Sequence, residues 1–278
     1  MIDLITIVFE QELPVLKVQA QSIELYCQDI GIRNIYVVVN DNNSVDQQIN
    51  PAWWGKFSDR VTIINRSAFS TSYVDNGWLS QQALKLQTAA ISYNSWSIIL
   101  DAKSIFTKSL LRSELFDEQG KPCVGQLDVY PVFEPSRQIT NKLFNIDLQK
   151  QLGPGGVPFL MNNTVVRAMI AEIEKITDKD FPTWFQEQGM LTEFILYSGF
   201  IQYRYGSLDV LHNTSKNKLT NTNVCHSEVA SFDRKFKEMP NSSSVSIHRN
   251  AWSQLTQEQC WQYRDFLVEQ GIGTAGLL

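Results

Sequence analysis

The stretch Ile98-Ile99-Leu100-Asp101-Ala102-Lys103-Ser104-Ile105-Phe106 decides how this chain reads. A short apolar run delivers a carboxylate at its end, and an ammonium follows two positions later. Such runs are the buried strands of covered parallel sheets. In open α/β sheets, ligands gather outside the carboxyl ends of the strands. Asp101 is therefore a candidate ligand-facing acid, able to hold a hard cation against anionic oxygens. Lys103 shares the side of Asp101 if extended geometry continues. There it would repel such a cation, or replace it at a phosphate. The plainer reading of the same residues is an Asp101 that caps a turn and pairs with a loop lysine.

The sequence on either side supports the strand. Residues 4–9, 35–39 and 61–64 are further apolar or β-branched runs, hence strands. Leu13, Leu16, Ala20, Ile23, Cys27 and Ile30 recur at spacings of three and four, one helix face stopped by Gly31. Asn40-Asp41-Asn42-Asn43 is a turn. A second helix opens at Asn76-Gly77, with Leu79, Ala83, Leu86, Ala90 and Tyr93 on its apolar face. This order predicts an α/β fold, a mostly parallel central sheet with helices on both faces.

Downstream, residues 124–127 and 159–161 read as later strands. Asn163 caps a helix to about residue 176, with Val166, Ile170, Ile173 and Ile176 inward. Residues 191–205 form an aromatic-rich helix. Residues 206–244 are polar and patchy, most turn formers lying at 213–223, and are expected to be an ordered loop or a lid. Residues 245–247 read as a last strand, and Thr256 with Gln259 as the capping box of a terminal helix ending near Gly271. No repeat or linker interrupts the chain. One domain is expected, with a half at about 1–130, a second half at about 131–255 and a C-terminal helix within 256–278.

Composition narrows the partners. A net charge of −5 argues against nucleic acid or an anionic membrane, since both require a basic face. Cys27, Cys123, Cys225 and Cys260 lack zinc spacing; Cys225-His226 supplies only two ligands, so a reducing compartment is expected. Met1-Ile2-Asp3 lacks the basic start and apolar core of a signal peptide. No run approaches the roughly 18 apolar residues of a membrane span. The expectation is a soluble cytoplasmic protein.

Other candidate residues are few. Trp78, Gln82 and Lys85 lie at i, i+4 and i+7, one stripe beside the apolar face of the second helix. An aromatic, an amide and a cation there suit a ligand bearing hydroxyls or phosphates, although Lys85 can equally be solvated. His248 can ligate a metal or meet a phosphate, and Arg249 can clamp one in bidentate fashion. Glu193 is an acid in an apolar setting, either a tunable base or a first-turn acid favoured by the helix dipole. Gly153-Pro154-Gly155-Gly156 lacks the Lys-Ser/Thr of a P-loop and reads as a flexible turn.

Taken in order, Gly77-Trp78…Gln81-Gln82…Lys85-Leu86 and Leu100-Asp101-Ala102-Lys103-Ser104-Ile105-Phe106 resemble a poorly characterised family of GT-A-type glycosyltransferases. Val157-Pro158-Phe159-Leu160, Thr192-Glu193-Phe194…Leu196-Tyr197-Ser198-Gly199 and Ile247-His248-Arg249 match its later landmarks, across about residues 3–255. The resemblance implies a GT-A fold, a nucleotide-sugar donor and metal-assisted transfer to an acceptor. Carried over, Asp101 is the first acid of the metal motif, Glu193 lies near the acceptor, and His248 lies near the donor diphosphate. Gln82 and Lys85 face the donor pocket, Thr6 and the rest of the first strand line the nucleotide, and Asp41 meets the base or ribose.

Relatives carry a second acid where this chain has Lys103, so Mn²⁺ or Mg²⁺ should bind weakly. Two outcomes are open: a metal-independent transferase acting on a glycan, lipid-linked or protein acceptor, or a degenerate carbohydrate- or nucleotide-binding module. A nucleotidyltransferase is disfavoured, because no Gly-rich basic loop follows the first strand. Asp128, Glu134 and Glu193 are the carboxylates that could set the stereochemistry.

Overall fold

Residues Ile2–Val8 are buried without interruption, which only a central strand covered on both faces permits. The computed structural model describes residues 1–41, 44–70, 73, 77–153, 156–216 and 219–274. Its first half runs β1 (Ile2–Val8), α1 (Leu13–Tyr26), β2 (Ile32–Val39), β3 (Val61–Asn65), α2 (Gly77–Ile91), β4 (Trp96–Asp101), β5 (Ile105–Phe106) and the single turn α3 (Arg112–Leu115). The second half begins with β6 (Gln126–Asp128), α4 (Glu134–Phe144), β7 (Lys150–Leu152), β8 (Phe159–Asn162), α5 (Asn163–Thr177) and α6 (Phe181–Glu187). It continues with α7 (Glu193–Tyr205), β9 (Asn221–Val224), α8 (Phe232–Glu238), β10 (Ser244–Ile247), α9 (Arg249–Trp252) and α10 (Gln257–Glu269).

The central sheet has the order β3-β2-β1-β4-β8, parallel except for β8 at one edge. This is the expected α/β architecture. After β1 the chain moves outward through β2 and β3, then returns to the other side of β1 to lay down β4. That reversal leaves a crevice between the carboxyl ends of β1 and β4, and Asp101 is the last residue of β4. The helix α1 lies against β5, whereas α2 packs on β1 and on α5, α6 and α7. A three-stranded sheet, β5-β10-β9, carries a second apolar cluster with Phe232, Tyr263 and Phe266, joined to α1 through Val18.

Several elements depart from the expected pattern. Residues 206–244 are not one loop, because they contain β9 and α8, and β9 pairs in parallel with β10. Cys27 and Ile30 are buried as predicted but lie beyond the end of α1. α2 stops at Ile91, so Tyr93 lies off its apolar face and is 99% exposed. Asn162, not Asn163, caps α5, accepting from the Thr164 and Val165 amides, and Ile176 faces solvent. The expected turn at Asn42 and Asn43, the start of α2 at Asn76, the turn at Pro154 and Gly155, and residues 217–218 lie outside the described residues. Among the described residues, no helix is long and apolar enough to cross a membrane.

Near the amino end of β4, His212 is 1% exposed and edge-on to the rings of Trp96 and Tyr197. Neither ring nitrogen has a hydrogen-bond partner of good geometry among the described residues. Burial pushes its pKa from 6.5 down to about 3, the Leu160 backbone only partly opposing. The unfolded chain therefore takes the proton first, and stability falls as pH drops below the unfolded value near 6.5. Between pH 7.5 and 4.5 this residue should remove about 2–3 kcal/mol. Urea unfolding at both pH values should show a flatter dependence in His212→Phe; equal slopes in the two proteins would contradict a buried neutral imidazole.

Candidate active site

The floor of the crevice is built on a buried amide. Gln19 of α1 accepts from the Thr6 hydroxyl at 2.9 Å and donates to the Asp101 and Ser104 carbonyls at 2.6 and 2.9 Å. The Ser104 amide closes the turn onto the Asp101 carbonyl at 2.9 Å. Clamped in this way, residues 101–104 turn back rather than run on extended. Lys103 thus curls over its neighbour, with Nζ 2.5 Å from Asp101 Oδ2. Thr6, expected to line a nucleotide, is 1% exposed and turns its hydroxyl to Gln19.

The other oxygen of Asp101 is held from α2. Oδ1 accepts from Lys85 Nζ at 2.8 Å and from Gln81 Nε2 at 2.9 Å. Lys85 is not solvated: it is 3% exposed and also lies 2.9 Å from Glu193 Oε1. With its amide turned to suit its neighbours, Gln82 donates to both Glu193 oxygens and accepts from the Trp78 indole at 3.2 Å. Trp78, Gln82 and Lys85 therefore share one stripe, as their spacing predicts. Glu193 is the first residue of α7, whose Thr192 cap accepts from the Ile195 amide.

Two carboxylates and two ammonium groups thus balance in a largely buried cluster. Burial would raise the Asp101 pKa, but the charges of Lys103 and Lys85 overcome it and hold the group well below the usual carboxylate range. Burial would lower the Lys85 pKa, and its two flanking acids reverse that direction. Glu193 has only the shared Lys85 as a cation, so desolvation prevails and its pKa rises. Glu12, beside Lys103, is likewise raised by burial.

Above this floor opens a cleft of about 520 Å³, lined by Trp78, Gln82, Asp101 and Lys103 and, across it, by Tyr130 and His248. A deeper cavity of about 130 Å³ continues beneath it, reached by Lys85 and Glu193. Asn221, Asn223 and Ser246 present a polar ladder from the smaller sheet on the far wall. Arg249, one residue past His248, instead lines a separate small cavity with Glu12 and Trp252, on the other side of Lys103. Asp41, at the end of β2, accepts from the Glu10 amide at 2.5 Å and does not line the cleft. Of the three carboxylates considered for stereochemistry, Asp128 and Glu134 do not line it either, and Glu134 is tied to Arg137 at 2.7 Å.

The donor set does not suit a hard divalent cation. Both Asp101 oxygens face ammonium groups. His248 Nδ1 accepts from the Asn250 amide at 3.2 Å, which leaves the ring proton on Nε2, a donor rather than a lone pair. Burial, then Lys103, His226 and Arg249, lowers the His248 pKa, so the ring is neutral at pH 7. Among the described residues, no three His, Cys, Asp or Glu side chains are grouped to share an ion. Of the two expected metal ligands, Asp101 pairs with Lys103 and Lys85, and His248 holds the Asn250 amide on Nδ1.

Three glutamines escaped the sequence reading. Gln81 sits inside the Gln81-Gln82 pair that carried the resemblance. Gln19 is a polar residue on the buried face of α1, a detectable signal. Gln151 lies on a three-residue strand with no pattern of its own.

The fold is that of GT-A glycosyltransferase structures. A crystal structure of an active-site mutant of LgtC matches with a TM-score of 0.51 at 13% identity, over 97% of this chain and 95% of that one. LgtC, a galactosyltransferase, in complex with donor and acceptor sugar analogues matches at 12% identity and TM-score 0.48, over 96% and 95%. Mouse xyloside xylosyltransferase 1 matches at 13% identity and TM-score 0.45, over 90% and 99%. At these identities the likeness is one of fold. No curated protein matches the chain by sequence. The chain belongs to DUF6492, a family of unknown function whose model matches residues 6–254.

Removing Lys85 leaves Glu193 buried without a cation. Lys85→Met should destabilise the protein by about 3–5 kcal/mol, whereas Lys85→Met combined with Glu193→Leu should recover most of the loss. Urea unfolding of the three proteins checks this. A double variant no more stable than the single one would contradict the pairing.

Proposed function

We propose that this protein is a glycosyltransferase that moves a sugar from a nucleoside-diphosphate donor to a hydroxyl of a glycan, lipid-linked or protein acceptor, without a metal ion. The observation that carries this reading is the Asp101 carboxylate at the crevice, with Lys85 on one oxygen and Lys103 on the other. When the bond from the sugar to the diphosphate breaks, negative charge grows on the leaving phosphate. A cation already aimed at that position stabilises it with little reorganisation. Lys103 can pass its Nζ from Asp101 to a phosphate oxygen, while Lys85 and Gln81 keep Asp101 in place. His248 adds an Nε2–H donor from the opposite wall.

In this reading Glu193 is a positioning residue. Both its oxygens are held by Lys85 and Gln82, so it fixes those side chains rather than taking a proton. Trp78, half-exposed at the rim, offers an aromatic face to a sugar ring or base. A second reading, a module that binds carbohydrate and turns nothing over, is favoured by one fact: each charge on the floor already has a partner.

Calorimetric titration of UDP, GDP and their sugars, with EDTA and then with Mn²⁺, separates these readings. One nucleotide should bind equally well in both, and Lys103→Ala should weaken it about 10- to 100-fold, as expected for a charged hydrogen bond. Binding that requires Mn²⁺ would refute the substitution of lysine for metal. Binding of free glycans with no nucleotide at all would leave the carbohydrate module.

A further inference from the structure

The cleft and the cavity beneath it differ in the groups they present. Lys103 and His248 line the outer cleft and not the inner cavity. The inner cavity meets Lys85, Glu193 and Gln151, and Asp101 stands at the join. Phosphates therefore have their donors outside. Among the described residues the inner cavity offers no cation to spare, because Lys85 is already divided between two carboxylates.

Gln151 is the unspent group. It is 1% exposed, and its Nε2 has no hydrogen-bond partner among the described residues. A buried, unpaired amide costs about 1–3 kcal/mol in the empty protein. Its position is nonetheless enforced, because the Ser198 hydroxyl accepts from the amide of the adjacent Leu152 at 3.0 Å. Ser198 in turn donates to the Phe194 carbonyl at 2.7 Å, so β7 is fastened to α7, the helix that carries Glu193. Phe133, Val157 and Phe194 give the cavity apolar walls. Apolar walls around a few fixed polar groups suit a ring with apolar faces and hydroxyl edges.

We infer that the inner cavity is the seat of the transferred sugar, that Gln151 hydrogen-bonds one of its hydroxyls, and that the sugar is uncharged. The inference rests on the glycosyltransferase reading above and adds to it a specificity-determining residue and a substrate class. A uronic acid would place a third carboxylate beside Glu193 and Asp101 with no cation left to meet it. An uncharged hexose or N-acetylhexosamine meets no such penalty.

The test titrates UDP, UDP-glucose, UDP-N-acetylglucosamine, UDP-glucuronate, GDP and GDP-mannose into the wild-type protein, Gln151→Met and Gln151→Glu. At least one neutral nucleotide sugar should bind more tightly than its free diphosphate. That increment should shrink about three- to tenfold in Gln151→Met, the range of one hydrogen bond, with diphosphate affinity unchanged. UDP-glucuronate should gain no increment. Gln151→Met should melt at or above the wild-type temperature, since it removes an unpaired amide. Gln151→Glu, which adds a third carboxylate beside Glu193 and Asp101, should lose the increment too, and unchanged diphosphate affinity in each variant shows that it still folds. The inference is overturned alone if diphosphates bind but the increment is absent, survives in both variants, or is largest for glucuronate. If no diphosphate binds the wild-type protein, the glycosyltransferase reading falls and this inference falls with it.

Discussion

Everything at the crevice depends on one carboxylate between two ammonium groups. Asp101 could not sit at the end of a buried strand as a bare charge, because desolvation alone would neutralise it. Lys85 and Lys103 keep it ionised. The same arrangement fixes Lys85, which then supports Glu193, and Glu193 anchors Gln82 and through it Trp78. Six side chains from the β4 end, α2 and α7 are thus held together around a single ionic core. Removing Lys85 leaves Glu193 buried without a cation, so the members depend on one another rather than adding as separate pairs.

The backbone beneath it is equally constrained. The reversal of strand order puts the β4 end at the crevice, and Gln19 ties the turn at 101–104 to α1. Because that turn folds back, the residue two places after Asp101 reaches the carboxylate itself. An acid in that position would have met Asp101 as a like charge and needed a cation between them. A lysine closes the contact directly. The counter-charge of Asp101 is thus part of the chain itself.

Much of this was legible in the sequence. The uninterrupted apolar runs at residues 4–9 and 98–100 identify strands buried on both faces, and the i, i+4, i+7 spacing of Trp78, Gln82 and Lys85 places them on one stripe. What sequence could not supply was depth. Lys85 and a solvated lysine have the same local pattern, and only the packing of α2 against α7 buries it. Thr6 turns inward to Gln19 and Arg249 enters a separate small cavity, and neighbours along the chain do not reveal which way a side chain turns. Of the small sheet β5-β10-β9 only the strand at 245–247 was legible, because β5 is two residues long and β9 is short and polar, and the sheet rests on the cluster around Phe232 and Tyr263 rather than on local periodicity.

The most direct measurement is a crystal structure with a non-hydrolysable nucleotide-sugar analogue, grown in the presence of Mn²⁺. The account predicts Lys103 Nζ within hydrogen-bond distance of a phosphate oxygen, Lys85 still on Asp101, and no metal between Asp101 and the diphosphate. A Mn²⁺ ion bridging Asp101 to the phosphates, with Lys103 turned away, would contradict it.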